Sequence, residues 1–384
     1  MSSHPQSSIL NPRRILVRGV NWLGDAVMTT PALLRLRERF PQAHIALLTH
    51  EKLADLWLHH PAINEVIPFA FNEGVFTIGS KLRAANFDLA LVLPNSPRSA
   101  LEVWAARIPR RVGYRRSWRN WFLTDLIGDR AGAVTMHKRP VAVVRQLVAD
   151  GASANNQSPI GSPAAHHIHQ YLHLTAALGA NSVPLPPTLH VTDSEVAATA
   201  QKFELAPGAT WLALNPGAEY GPAKRWPAER FIAAAQEIQQ RTGCRWLVLG
   251  GKGDVELAGS IAAKLSGSVN LAGCTSLREL CATLKLSRVL LTNDTGPMHV
   301  GTALGTPVVA LFGSTSPELT GPGLPGGRQS GIVKGDAPCA PCFLRECPID
   351  FRCMNSISTG RVVTAVLEAL QLTPPHRAST ISPP

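Results

Sequence analysis

The sequence predicts an α/β protein of two doubly wound domains, each built on a parallel sheet. Three observations carry that prediction. The chain has 384 residues, too many for one small domain and well suited to two of roughly 150–200. Short, near-continuously apolar strand candidates alternate with longer helical patterns, the mark of strands covered on both faces. The alternation then starts afresh in the second half, so two Rossmann-like domains are expected at 13–190 and 208–370, with a flexible tail at 373–384.

In the first domain the strand candidates are Ile15–Val20, His44–Thr49 and Asp88–Pro94, and Ala26–Phe40 reads as one helix. The tract Asp150–Ala165 (DGASANNQSPIGSPAA) has the composition of a flexible loop insertion. Pro184, Pro186, Pro187 and Pro207 place the boundary between Leu178 and Gly208. The second domain offers strands at Trp211–Asn215, Arg245–Gly250, Arg288–Thr292 and Pro307–Gly313, with helices at Ala228–Thr242 and Leu277–Leu284.

Composition narrows the function classes. At 45% hydrophobic and 16% charged residues the chain has material for large cores and no sign of global disorder. The net charge of +11 is uneven: residues 1–190 hold 20 Lys and Arg against 11 Asp and Glu, a net of +9, and 191–384 hold 17 against 15, a net of +2. The first half is therefore expected to meet something anionic. No apolar run reaches the ~18–20 residues of a membrane span, and Met1–Pro12 lacks the apolar centre of a secretory leader, so neither a span nor secretion is expected. Seven cysteines without a leader argue for reduced thiols in a reducing compartment rather than a disulfide scaffold.

Five motifs carry chemistry. Arg18-Gly-Val-Asn-Trp-Leu-Gly-Asp25 follows the opening strand, where ligands bind in an open α/β sheet. Asp25 there either faces the crevice or is only a helix cap, and the spacing is not that of a dinucleotide fingerprint. Asn215-Pro-Gly-Ala-Glu-Tyr-Gly-Pro-Ala-Lys-Arg-Trp-Pro227 is a long strand-to-helix loop whose Lys224 and Arg225 suit a phosphate-bearing ligand, or are two solvated bases. Thr292-Asn-Asp-Thr-Gly-Pro-Met-His299 opens a helix that Asp294 or Thr295 can cap, with Pro297 in its first turn. The N–H groups of Thr295 and Gly296 form an anion site, and His299 returns to the same face. Arg98–Trp121 interleaves seven arginines with Trp104, Tyr114, Trp118 and Trp121, which suits nucleic acid, a phosphorylated glycolipid at an anionic membrane, or a solvated basic face. Finally Cys339, Cys342, Cys347 and Cys353 either hold a structural Zn2+ or are reduced buried thiols or a redox-sensitive pair.

Taken together and in this order, the motifs resemble the ADP-heptose:lipopolysaccharide heptosyltransferases, glycosyltransferase family 9. The carriers are Asn21-Trp-Leu-Gly-Asp25, Leu93-Pro-Asn-Ser96, the 215–227 block, which matches the heptosyltransferase II branch without interruption, and 292–299. The resemblance runs from about Arg13 to Leu370. It implies a GT-B architecture, two Rossmann-like domains facing across a cleft, with the acceptor on the first and ADP-heptose on the second. It implies inverting transfer of L-glycero-D-manno-heptose onto the first heptose of the lipopolysaccharide inner core, with Asp25 as base and Lys224 neutralising the departing ADP. Glu219, Tyr220, Asp254, Asp294, Thr295, Gly296 and His299 are the expected donor contacts, with Glu256 an alternative to Asp254. Asn21, Trp22, Asn95, Ser96, Arg98, Arg115 and Arg116 are the expected acceptor contacts.

No cofactor or catalytic metal is expected beyond ADP-heptose as donor. The partners implied are that donor, a phosphorylated Kdo-lipid A bearing the first heptose, and the inner face of the cytoplasmic membrane, which makes the protein cytoplasmic and peripherally attached. The segment Asp129–His169 is longer than in typical members. The competing readings are a sibling heptosyltransferase for another core position or a protein acceptor, an inactive ADP-sugar-binding module, and a nucleic-acid-binding protein with zinc held by the four clustered thiolates. Against the last, Lys334, Arg345 and Arg352 are cancelled by Asp336, Glu346 and Asp350.

Overall fold

Two six-stranded sheets are formed by the residues that the computed structural model describes, 11–151, 163–324 and 330–371. The first contains β1 (Arg14–Arg18), β2 (His44–His50), β3 (Glu65–Phe69), β4 (Leu89–Val92), β5 (Arg110–Tyr114) and β6 (Asp125–Ile127). The second contains β7 (Trp211–Asn215), β8 (Arg245–Val248), β9 (Val269–Asn270), β10 (Leu290–Asn293), β11 (Val308–Phe312) and β12 (Ser330–Lys334). Every pairing is parallel. The orders are β3-β2-β1-β4-β5-β6 and β12-β11-β10-β7-β8-β9, so the two sheets share one topology. Strand order reverses between β1 and β4 in one and between β7 and β10 in the other. These are the switch points where open sheets of this kind bind ligands.

The seven sequence-predicted strands are the apolar centres of these sheets; β3, β5, β6, β9 and β12 are additional. All five lie at or next to a sheet edge, where one face is less covered. Thus β3 tolerates Pro68, while β5 opens on Arg110 and Arg111. The single helix expected at Ala26–Phe40 is two, Leu23–Met28 and Thr30–Arg39. Pro31 removes an N–H and starts the second helix, while the Thr29 and Thr30 hydroxyls donate back to the carbonyls of Ala26 (2.6 Å) and Val27 (2.8 Å). The helix Ala228–Thr242 falls where its periodicity puts it and stops at Gly243, which takes a left-handed φ of 67°.

The chain divides into two compact units, the described parts of Met1–Val134 with Ser162–His190 and of Thr135–Gly161 with Val191–Pro384. This departs from the uninterrupted 13–190 span. The helix Val141–Ala149 buries Val144 in the second core, beside residues such as Trp226 and Val362, and the Arg139 N–H donates to the Cys342 carbonyl at 3.0 Å. Lys138, Arg139, Arg145 and Asp150 therefore belong to the second unit, and the sequence nets of the two become +7 and +4 rather than +9 and +2. Residues 152–162 of the expected insertion, and the 373–384 tail, lie outside the described residues. Among the described residues no helix is long and apolar enough to cross a membrane.

Candidate functional site

In the first unit the switch point is flanked by the loops after β1 and β4. Arg18 ends β1 fully inside the protein, 2% exposed, and its Nε meets Glu102 Oε2 at 2.7 Å, a carboxylate at 0% exposure. The same guanidinium donates to the Gly19 carbonyl and to Asn21 Oδ1 (3.0 Å) and lies 4.5 Å over the Phe69 ring. The loop carrying Asn21 and Trp22 is thereby anchored from below. Asp25 sits in the first turn of Leu23–Met28, whose cap position is Trp22, so the cap reading of Asp25 does not hold. Its carboxylate instead hydrogen-bonds the Tyr171 side chain from the helix Ile168–Ala176; burial first, then the Asp25 charge, holds that phenol well above its ordinary range. No local pattern in the sequence points to Tyr171.

Around β4 the expected contacts divide. Ser96 caps the helix Pro97–Ala105 by accepting from the Ser99 N–H at 3.2 Å, so its hydroxyl has a structural use. Arg98 pairs with Glu102 at 3.0 Å and donates to the Glu73 carbonyl at 2.6 Å. Arg115 is exposed, and Arg116 pairs with Asp129 at 2.7 Å. Arg119, one of the seven arginines of the stretch but not among the expected contacts, is fully buried. It donates to the Pro94 carbonyl (2.6 Å) and to Asn95 Oδ1 (3.4 Å), with burial pushing its guanidinium down to about 10. The stretch 98–121 is thus no uniform basic face. Two of its aromatics lie well out of the protein, Trp118 at 84% and Trp121 at 87% exposure.

In the second unit the corresponding loops follow β7 and β10, and here the expected residues converge. Lys224 Nζ lies 2.6 Å from Asp294 Oδ2 and 5.0 Å over the Tyr220 ring. The Thr315 hydroxyl, beyond β11, donates to the same Asp294 oxygen at 2.7 Å. The two loops are tied by Asn293, whose Nδ2 donates to the Pro216 carbonyl (2.7 Å) and whose Oδ1 accepts from the Trp226 N–H (3.1 Å). Thr295 holds the cap position of the helix Gly296–Ala303 without a side-chain cap bond, and Asp294 does not cap it either. The first N–H groups of that helix keep their positive end for an anion. His299 is buried in the next turn. Asp254 pairs with Arg225 at 3.2 Å and accepts from the Gly251 N–H at 3.1 Å. It approaches the loop so closely that a Cβ on Gly217 would collide with its carboxylate. Glu219 and Glu256 are exposed. Thr315 had a legible signal, a Ser-Thr-Ser run at the carboxyl end of a buried parallel strand.

Comparison with known proteins decides the family. The family model described as glycosyltransferase family 9 (heptosyltransferase) matches residues 133–351. The chain is 32% identical to lipopolysaccharide heptosyltransferase 2 of Escherichia coli K12 over 321 residues, 80% of this chain and 85% of that one. The chain belongs to glycosyltransferase family 9. Among solved structures, Escherichia coli ADP-heptose lps heptosyltransferase II superposes with a TM-score of 0.73 at 28% identity, covering 93% of this chain and 98% of that one. An Escherichia coli heptosyltransferase solved with ADP gives a TM-score of 0.63 at 19% identity, covering 93% and 99%, a likeness of fold. This family 9 enzyme is a glycosyltransferase of the GT-B class, two doubly wound sheets of one topology.

For a glycosyl-transferring enzyme the two constellations have complementary chemistry. The carboxylate of Asp25 is tied to the Tyr171 side chain by a hydrogen bond. The Lys224 ammonium and the helix start at Gly296 are fixed positive ends suited to a departing phosphate. Among the described residues no three His, Cys, Asp or Glu are grouped to hold a metal ion, so the four clustered thiolates are not arranged here as a zinc site. Cys339, Cys342 and Cys353 are buried, and burial raises all three thiols, Cys353 to about 12.

Proposed function

We propose that this glycosyltransferase moves L-glycero-D-manno-heptose from ADP-heptose onto the first heptose of the lipopolysaccharide inner core. The observation that carries the reading is the Lys224–Asp294–Thr315 cluster beside an uncapped helix start at the second switch point. The identity to lipopolysaccharide heptosyltransferase 2 supports the choice of sugar and acceptor. Asp25 takes the proton of the acceptor hydroxyl as its oxygen attacks the anomeric carbon from the face opposite the diphosphate. The bond from that carbon to the phosphate oxygen breaks, and its electron pair leaves with ADP. The anomeric centre is therefore inverted.

In this reading Lys224 and the N–H groups of Thr295 and Gly296 hold the diphosphate, and Asp294 and His299 position phosphate and heptose. Glu219, Tyr220 and Asp254 complete the donor contacts. Asn21, Trp22, Asn95, Ser96, Arg98, Arg115 and Arg116 form the acceptor side, together with Arg119 and Tyr171 as its buried supports. The fixed cations supply the charge that ADP departure needs, so the reading calls for no cofactor. The exposed Trp118 and Trp121 among arginines suit a glycolipid presented at the cytoplasmic face of the inner membrane.

Calorimetry with ADP, UDP and GDP tests the donor half, and transfer to a Kdo-lipid A acceptor with and without its first heptose tests the other. Selective ADP binding and dependence on the first heptose are expected. Equal or absent binding of the three nucleotides would sink the donor assignment. Transfer to the heptose-free acceptor would make the enzyme a sibling acting at another core position.

A further inference from the structure

The segment from Cys339 to Cys353 holds no metal cluster, yet it touches both the β7 loop of the second switch point and the loop after β11 that carries Thr315. On one side the Tyr220 hydroxyl donates to the Phe343 carbonyl at 2.9 Å, Arg345 Nε donates to the Tyr220 carbonyl at 2.7 Å, and the Ala223 N–H donates to the Arg345 carbonyl at 3.0 Å. The Arg345 guanidinium also lies 5.6 Å over the Tyr220 ring, the ring that carries Lys224 Nζ at 5.0 Å. Gly221 sits between these contacts with a φ of 152°, and a Cβ there would collide with the Arg345 carbonyl oxygen. Only glycine admits so close an approach.

On the other side the N–H groups of Cys342 and Phe343 both donate to the Ser314 carbonyl, at 3.1 and 2.8 Å. The next residue is Thr315, whose hydroxyl holds Asp294. Residues 342–345 of one segment therefore hold both the loop that carries Lys224 and the residue before Thr315, whose hydroxyl holds Asp294. The segment's three buried thiols pack into the same core as Trp226, which follows Lys224 by two residues.

We propose that the Cys339–Cys353 segment is a brace for the ADP-sugar site and that Arg345 is its positioning residue, setting Lys224 through Tyr220 without touching the substrate. The inference rests on the donor reading above and adds to it a residue and a role for the cysteine-rich segment. A lysine carries no aligned fork, so it returns the charge and one donor but not the full geometry.

The experiment compares Arg345→Ala, Arg345→Lys and Tyr220→Phe with the wild-type chain. One hydrogen bond of about 1–1.5 kcal/mol corresponds to roughly a ten-fold change in an equilibrium constant. Arg345→Ala is expected to weaken ADP binding about ten-fold and to raise the KM for ADP-heptose, with the acceptor KM unchanged and the melting temperature within about 2–4 °C of wild type. Arg345→Lys should recover part of that loss, and Tyr220→Phe should lose a comparable amount. Hydrogen exchange of the nucleotide-free protein reads the brace without any ligand: peptides covering 218–224 should exchange faster in Arg345→Ala. Wild-type ADP affinity in Arg345→Ala, or unchanged exchange at 218–224, would overturn the brace. Loss of ADP preference in the wild-type chain itself would instead overturn the donor reading, while the exchange arm would still decide the brace.

Discussion

The two units share a strand order and place their loops at equivalent switch points, yet they hold charge in opposite ways. In the second unit the charged pair is gathered at the loop tips: Lys224 and Asp294 meet where a ligand would arrive, with side chains 15% and 5% exposed. In the first unit the strong pair, Arg18 with Glu102, is deep under the loop, and the loop residues Asn21 and Trp22 above it are exposed. A buried pair at the tips gives a preformed anion site, because the ammonium is already fixed before the ligand binds. A buried pair below the loop instead anchors it from beneath and leaves Asn21 and Trp22 at the surface. One topology thus carries its strong ion pair at the loop tips in one unit and beneath the loop in the other.

The comparison is broken most severely by removing the base. Asp25→Asn should lower kcat about 10³-fold while ADP affinity stays near wild type, measured by ADP release and calorimetry. Activity near wild type would leave Asp25 without a catalytic role. Next, Glu102→Leu leaves Arg18 buried without its partner and should cost about 3–4 kcal/mol in denaturant unfolding. Adding Arg18→Leu should recover most of that loss, since an apolar pair of similar volume replaces the ions; no recovery would mean that Arg18 matters chiefly to the Gly19–Asn21 loop. Lys224→Ala should reduce kcat about 10²-fold and also weaken ADP binding, a loss of affinity that Asp25→Asn should not show. Identical profiles for the two variants would erase the proposed division of labour.

Acid should separate the units as well. Burial depresses His60 and His167 in the first unit to about 4. Their neutral forms are native, so an unfolded chain gains protons before the folded one as pH drops below about 6.5. Stability contributed by these residues is complete above that value and is lost between about 6.5 and 4, on the order of 3 kcal/mol for each. In the second unit Glu195, paired with Arg278 at 2.6 Å, is held down to about 2, so its contribution is present above the ordinary carboxylate range and fades only as pH falls from about 4.3 toward 2. Hydrogen exchange from neutral to acid pH should show the first unit opening before the second; the opposite order would refute the assignment.

Legibility differed between the units for a physical reason. In the second, the whole Lys224–Asp294 pair comes from two contiguous loops, each directly after a buried apolar strand, so motif and place in the fold coincide. Lys224, Asp294, Thr295 and Gly296 could be read from local order alone. In the first, the chain reaches the site with residues from distant elements: Tyr171 comes from a helix after the 152–162 tract, and Arg119 is turned inward from a stretch that looks like a basic surface. Ser96 and Arg98 were expected to meet a ligand, and the structure shows them also capping a helix and pairing with a buried acid.

The sequence by itself determined the α/β class, the doubling of the domain, the buried strands and the loops that follow them. Each of these rests on short-range periodicity and on residue types that glycine, proline and apolar runs make unambiguous. Only the tertiary structure decided which unit the helix Val141–Ala149 joins, how the charge divides, that the cysteines form no metal cluster, and that their segment spans two loops of one site. Those outcomes depend on which nonlocal faces bury each other and on carbonyls and N–H groups of the main chain, which nearly every residue carries and which no sequence pattern distinguishes.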